Sequence, residues 1–187
     1  RTESLLLSAW IAVLDDRTQR AETILGEALD LAPDSPETLA MLAMIRLQGG
    51  DLGGVVQLSS RHPDAFSANP SLRALVAVAL SRGGEEEQAK RAMEGIPAPD
   101  SAVDFFAAAI HAQNDGKPLG PKRAAALAQQ AVLRSDTPRL VHFLLWCSTS
   151  GEARDGPMTR AATDATLHHW PKEAGVVYSC GRALAGA

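Results

Sequence analysis

Residues 36–50 read PETLAMLAMIRLQGG, and 34 positions further on residues 70–84 read PSLRALVAVALSRGG. Each stretch opens on proline, continues through apolar residues without the β-branched alternation of a strand, and stops at paired glycine. Proline suits a helix start and glycine a helix end. A fixed spacing of this size marks a tandem array, because one helix pair cannot bury its apolar stripe alone and must stack on the next. Stepping the same distance outward reaches Thr2, Asp104, Pro138 and Lys172, each the beginning of a helix-like segment.

Columns test this register. Six residues after the starts stand Ser8, Leu42, Val76, Ile110, Leu144 and Tyr178, all but one large and apolar. Four residues after them stand Leu6, Ala40, Ala74, Ala108, His142 and Val176, small or apolar except for the histidine. A second helical stretch follows in each copy: Arg17 to Leu31 before Pro33, a restart at Asp51, and Glu85 to Met93 after the Gly83-Gly84 turn. Pro121 and Pro157 fall where second helices should begin, and Pro63 should cut one short. Asp34 or Ser35, Asn69, Ser101, and Asp136 or Thr137 are the predicted N-caps. The 187 residues hold about 5.5 copies, hence about 11 helices in one all-α domain spanning 1–187. The helix from residue 172 has no partner and reads as a cap, or as the point where a longer array is interrupted.

A 34-residue helix-turn-helix period resembles the tetratricopeptide repeat family. Ala21, Leu25, Ala28 and Pro33 match the spacing of that family's second-helix motif throughout; Leu39, Leu42 and Ala43 supply the next first helix, and Val76, Ala77, Ala89, Met93 and Ile96 echo both. Val55, Ser59 and His62 depart from it, as do His111 and Leu145 at a position for small residues. The resemblance implies an α-solenoid of antiparallel helix pairs with right-handed superhelical curvature, its first helices lining a concave groove. Carried onto this chain, it turns Trp10, Met44, Val78, Ala112, Trp146 and Cys180 into the groove beside Leu6 and His142, with Glu37, Phe105 and Arg139 at the edge. Such a groove lacks the lysine, arginine and asparagine of relatives that clamp a C-terminal carboxylate. It fits an amphipathic helix or an extended hydrophobic segment, with Trp10 and Trp146 either anchoring that partner or packing in the core. A terminal segment or a second copy of the chain is the other expected occupant, since exposed apolar grooves are rarely left empty.

Composition narrows the function class. The net charge of −4, with 4% aromatic residues, opposes nucleic-acid binding, which needs clustered cations and stacking platforms. The apolar runs Leu72 to Leu80 and Val141 to Cys147 fall short of the roughly 18–20 residues that span a bilayer. No G-x-S-x-G, H-E-x-x-H, G-x-x-x-x-G-K or G-x-G-x-x-G pattern occurs, so neither catalytic residues nor a cofactor are expected. Gly49, Gly50, Gly53 and Gly54 read as a turn. Adjacent residues on a helix diverge by about 100°, so His168 and His169 do not share a metal, and none is expected. Cys147 and Cys180 fall on consecutive first helices. Packed helix axes usually lie about 8–10 Å apart, whereas a disulfide wants Cα atoms within about 7 Å, so two free, half-buried thiols are predicted.

The alanine, arginine, glycine and aspartate bias looks bacterial, and the start at Arg1 leaves cytoplasm and periplasm both open. The expected function is a scaffold or adaptor that binds a peptide or helical segment of another protein. The alternative is a regulatory or substrate-recruiting module of a larger enzyme or of a secretion or export complex. Self-association through the groove or the terminal helix is a further expectation.

Overall fold

Helix starts and stops follow local chemistry that the sequence states openly. Ser35 Oγ accepts from Thr38 N at 3.4 Å, Asn69 Oδ1 from Ser71 N and Leu72 N at 3.1 Å, and Ser101 Oγ from Asp104 N at 3.1 Å. Each satisfies amide donors that the first helical turn would otherwise leave unpaired. At the other end, Gly50 and Gly84 take left-handed φ values of 77° and 84°, which a residue with a Cβ adopts only under strain.

The computed structural model describes residues 1–95, 98–114, 119–137 and 139–187, which form twelve α-helices with no strand among them. They are α1 (Thr2–Leu14), α2 (Thr18–Leu31), α3 (Pro36–Gly49), α4 (Leu52–Arg61), α5 (Pro63–Ala68) and α6 (Pro70–Arg82), followed by α7 (Glu86–Met93), α8 (Ala102–Asn114), α9 (Gly120–Leu133), α10 (Leu140–Glu152), α11 (Gly156–His169) and α12 (Ala174–Gly186). The helices α1, α3, α6, α8, α10 and α12 begin within two residues of the expected starts; Pro138 itself and Ile96 lie outside the described residues.

Two expectations need correction. The chain has one helix beyond the predicted eleven or so, because Pro63 does more than shorten α4: it opens the separate α5 after the break at His62. The Asp136 or Thr137 cap is not used. The residue before α10 is Arg139, without a side-chain cap, and Thr137 sits too far upstream to reach the first free amides.

Five hairpins pair α1 with α2, α3 with α4, α6 with α7, α8 with α9 and α10 with α11. Neighbouring pairs stack, as a helical repeat requires, through α2 on α3, α4 on α6, α9 on α10 and α11 on α12. Arginines fasten the joints by donating to carbonyls at turns and helix ends. Arg46 Nη1 reaches Gly54 O at 2.7 Å, Arg73 Nη2 reaches Ala92 O and Glu94 O at 3.2 and 2.8 Å, and Arg82 reaches both Leu47 O and Asn114 O.

The first helices of the pairs also meet across the middle. Besides packing in order, α3 lies against α8, and α1 against both α10 and α12. Chain end therefore meets chain start. Tyr178 Oη donates to Asp15 Oδ1 at 2.7 Å, Arg182 Nη2 donates to Leu14 O at 3.2 Å, and Gly175 sits where a Cβ would be only 2.6 Å from Ile11 Cδ1. One cluster of buried apolar side chains extends from Leu6 to Ala183. At about 1.5–3 kcal/mol for each large aliphatic side chain buried, this interior dominates the stability of the fold.

Candidate functional site

The residues expected to line a groove are on the inner helices, where the periodicity puts them, and most of them are buried there. Leu6, Trp10, Met44, Val78, His142 and Trp146 are all buried, Trp10 and Trp146 to 4% and 6% exposure. Phe105 and Arg139 are half-buried. Of the two roles left open for Trp10 and Trp146, anchoring a partner or packing in the core, this burial favours the core. The physical reason lies in α3 and α10, which bury Glu37 to Ile45 and Leu140 to Cys147 without interruption. A helix apolar on every side has no face to show to solvent and packs all round.

Two of the expected residues do come together, around a third. Glu37, at the first turn of α3, accepts from Arg139 Nη1 at 2.7 Å, from a residue 102 positions away at the start of α10. His142 Nε2 lies 3.8 Å from the same Glu37 Oε1, beyond a direct hydrogen bond, and stacks near Phe106 with ring centroids 5.2 Å apart. Ser35 Oγ donates to the other carboxylate oxygen at 3.3 Å, and Glu3 approaches Arg139 Nε at 4.0 Å. Burial pushes the Glu37 carboxyl up, yet the adjoining His142 ring and Arg139 guanidinium outweigh it and hold the pKa at about 2. This cluster clasps the first third of the chain to α10. Its side chains are enclosed, with Glu37 and His142 at 3% and 2% exposure, so the geometry is that of a structural tie.

The other expected residues mark different places. Phe105 lies under the Arg134 guanidinium, 5.8 Å from its ring centroid. Trp10 borders a cleft of mixed lining, about 360 Å³, where α1 meets the ends of α10 and α12. Val78 lines a larger cleft, of about 520 Å³, between α6, α7 and α8.

That cleft exists because α7 is unlike the other second helices. Among the described residues it packs substantially on α6 alone, and Ala89 is its single buried residue. Its sequence explains this: EEQAKRAM is two turns long, mostly charged, and offers one small apolar side chain to a neighbour. Opposite α8, the exposed side of α7 leaves a floor of Ala77, Val78 and Ala89, with Met93 at the lip and 42% exposed. Glu86, Lys90 and Glu94 form the rim on one side and Asn114 on the other. An apolar floor inside a polar rim of both charges, in a volume of this order, can take several apolar side chains while orienting their backbone.

Sequence reasoning missed both the clasp and the cleft. The polar poverty of α3 was a legible sign that it is interior, whereas the pairing of Glu37 with Arg139 depends on how the array curls. Among the described residues no three His, Cys, Asp or Glu side chains converge as metal ligands, and no helix is long and apolar enough to cross a membrane. No protein-family profile matches the chain, and no curated protein sequence does either.

Proposed function

We propose that this chain is a protein-binding scaffold built from tetratricopeptide-like helix pairs, and that it receives an apolar helical or extended segment of a partner protein in the cleft between α6, α7 and α8. The observation that carries this reading is the lifted α7: it leaves Val78 and Ala89 as the floor of an open cleft with Met93 exposed at its lip. The 34-residue period and the stacking of neighbouring pairs support the repeat type. With Trp10, Met44 and Trp146 buried, this reading takes the side of the array rather than its centre as the docking surface.

Selection of peptides from a random display library against the purified chain tests the reading. Peptides with two or more apolar anchors, binding the native protein at least tenfold more tightly than Met93→Glu and equally to Leu133→Arg, support it. Leu133 is a fair control because it is an exposed apolar residue on α9, away from the cleft. Peptides indifferent to Met93→Glu place docking elsewhere.

A further inference from the structure

The chain has two cysteines, Cys147 on α10 and Cys180 on α12, and both are free and fully buried rather than half-buried. Ordinary helix spacing keeps such a pair apart, but α10 and α12 do not pack at ordinary spacing. A Cβ built on Gly151, one turn beyond Cys147, would lie 2.7 Å from Ala183 O and 3.2 Å from Ala183 Cα. Ala183 is three residues beyond Cys180, so the two backbones almost touch one turn from the sulfurs. One turn before this contact the two thiols meet each other, the proximity required by a disulfide, whose Cα atoms stand about 4.4–6.8 Å apart.

Hydroxyl groups of α11 border the pair. Cys147 Sγ is 3.2 Å from Thr166 Oγ1 on α11. Thr163, one turn earlier on α11 and 3% exposed, has a hydroxyl with no hydrogen-bond partner, and it also reaches toward Cys147. The Cys180 thiol leans on Cys147 and lowers it; burial opposes this, and the two threonine hydroxyls assist it. The same contact, then burial, pushes Cys180 up. Cys147 is thus the sulfur prepared to be the thiolate and Cys180 the one that keeps the proton.

We propose that Cys147 and Cys180 form a reversible intramolecular disulfide that staples α12 to α10, locking the junction where the last helix closes on the first. The co-reactant is a low-molecular-weight disulfide. Cys147 thiolate attacks one of its sulfurs and releases one thiol; Cys180 gives up its proton and attacks the Cys147 sulfur, releasing the second. The protein loses two electrons and two protons, and the reagent gains both. Because neither sulfur is exposed, the exchange proceeds when α12 lifts. What holds α12 on α1 includes the surface contacts of Tyr178 with Asp15 and of Arg182 with Leu14, which open readily.

The test incubates the full chain with oxidised glutathione and follows free thiols, non-reducing peptide masses and thermal unfolding. The expected result is loss of both thiols, a monomer two hydrogens lighter with a 147–180 crosslink, and a melting temperature higher by roughly 5 °C that falls back on reduction. Cys180→Ser should instead accumulate a lasting glutathione adduct on Cys147. Gly151→Ala, checked for native helicity, should slow bridge formation at least tenfold, since its methyl forces α10 away from Ala183. Two thiols that stay free after oxidation, in buffer and in mild urea alike, overturn the proposal, as do a crosslink between chains and a native-protein adduct that never resolves.

Discussion

Helices α7 and α9 occupy the same place in successive pairs, yet one is wedged in and the other hangs free. α9 lies between α8 and α10 and buries Ala124, Ala128 and Ala131, a ladder of small residues at helical spacing that lets two neighbours approach. α7 has only Ala89 to offer, and its charged remainder stays in water. The lesson is that an evenly packed array leaves no room for a partner. Here the middle is filled by its own inner helices, and the opening lies where α7, among the described residues, makes no substantial contact with the next pair. The interior also spends polar chemistry to close the ring, through Glu37 and Arg139, while α7 spends its charges on the surface.

The largest expected effect lies on the closed side of this contrast. Glu37→Ala leaves His142 and the inner part of Arg139 without their carboxylate, and breaking a buried pair from one side costs about 3–5 kcal/mol. Because the Arg139 side chain is 34% exposed and keeps some water, the lower end is expected in urea unfolding. A Glu37→Met, Arg139→Leu double variant should recover most of the loss; if it is as unstable as the single variant, the clasp is not what Glu37 supplies.

The same carboxylate sets an acid limit. A group whose pKa is lowered on folding, here from 4.5 to about 2, stabilises the fold where it is ionised. Its contribution is complete above about pH 4.5 and fades as pH falls toward 2, with about 3 kcal/mol lost across that window. Unfolding free energies of the native chain and Glu37→Gln, measured from pH 5 to 2, should converge as pH falls. Parallel curves would place the acid sensitivity on other carboxylates. A smaller effect, about 1–3 kcal/mol, is expected from Ala128→Phe in α9, where the added ring has no space between α8 and α10. An unchanged melting curve there would mean that the alanine ladder is not what wedges α9 in.

The legible part of this fold was its period. Local chemistry fixes helix ends, so Pro36, Pro70, Ser35, Asn69 and the glycine pairs located them from sequence, and α2 buries Ala21, Leu25 and Ala28 at the positions the spacing names. Burial within a helix is a local pattern as well, and α3 announced its interior place by having no polar face. Closure was not legible. It depends on contacts between residues far apart in sequence, α12 on α1 and Arg139 on Glu37, which no local pattern encodes. The same packing buries Trp10, Met44 and Trp146 of the predicted groove column. The cleft was half visible: EEQAKRAM is too short and too charged to fill a joint, but only the packing shows that no other described residue fills it.

The smallest expected effect is the most telling about α7. Met93 is 42% exposed and its helix is held substantially by α6 alone, so Met93→Glu should change global stability by no more than about 0.5 kcal/mol. Its amides, by contrast, should exchange with solvent through local opening, far faster than those of α9, because opening α7 uncovers Ala89 and little else. Among the described residues two side-chain restraints remain: Ser81 Oγ donates to Glu86 Oε1 at 3.1 Å at its start, and Arg73 donates to Ala92 O and Glu94 O at its end. Arg73→Met should therefore speed exchange in α7 several-fold and leave α9 unchanged. Equal protection of α7 and α9 in the native chain would mean that α7 is as firmly seated as its counterpart, and that the cleft is a fixed wall of the fold rather than a joint able to adjust to what enters it.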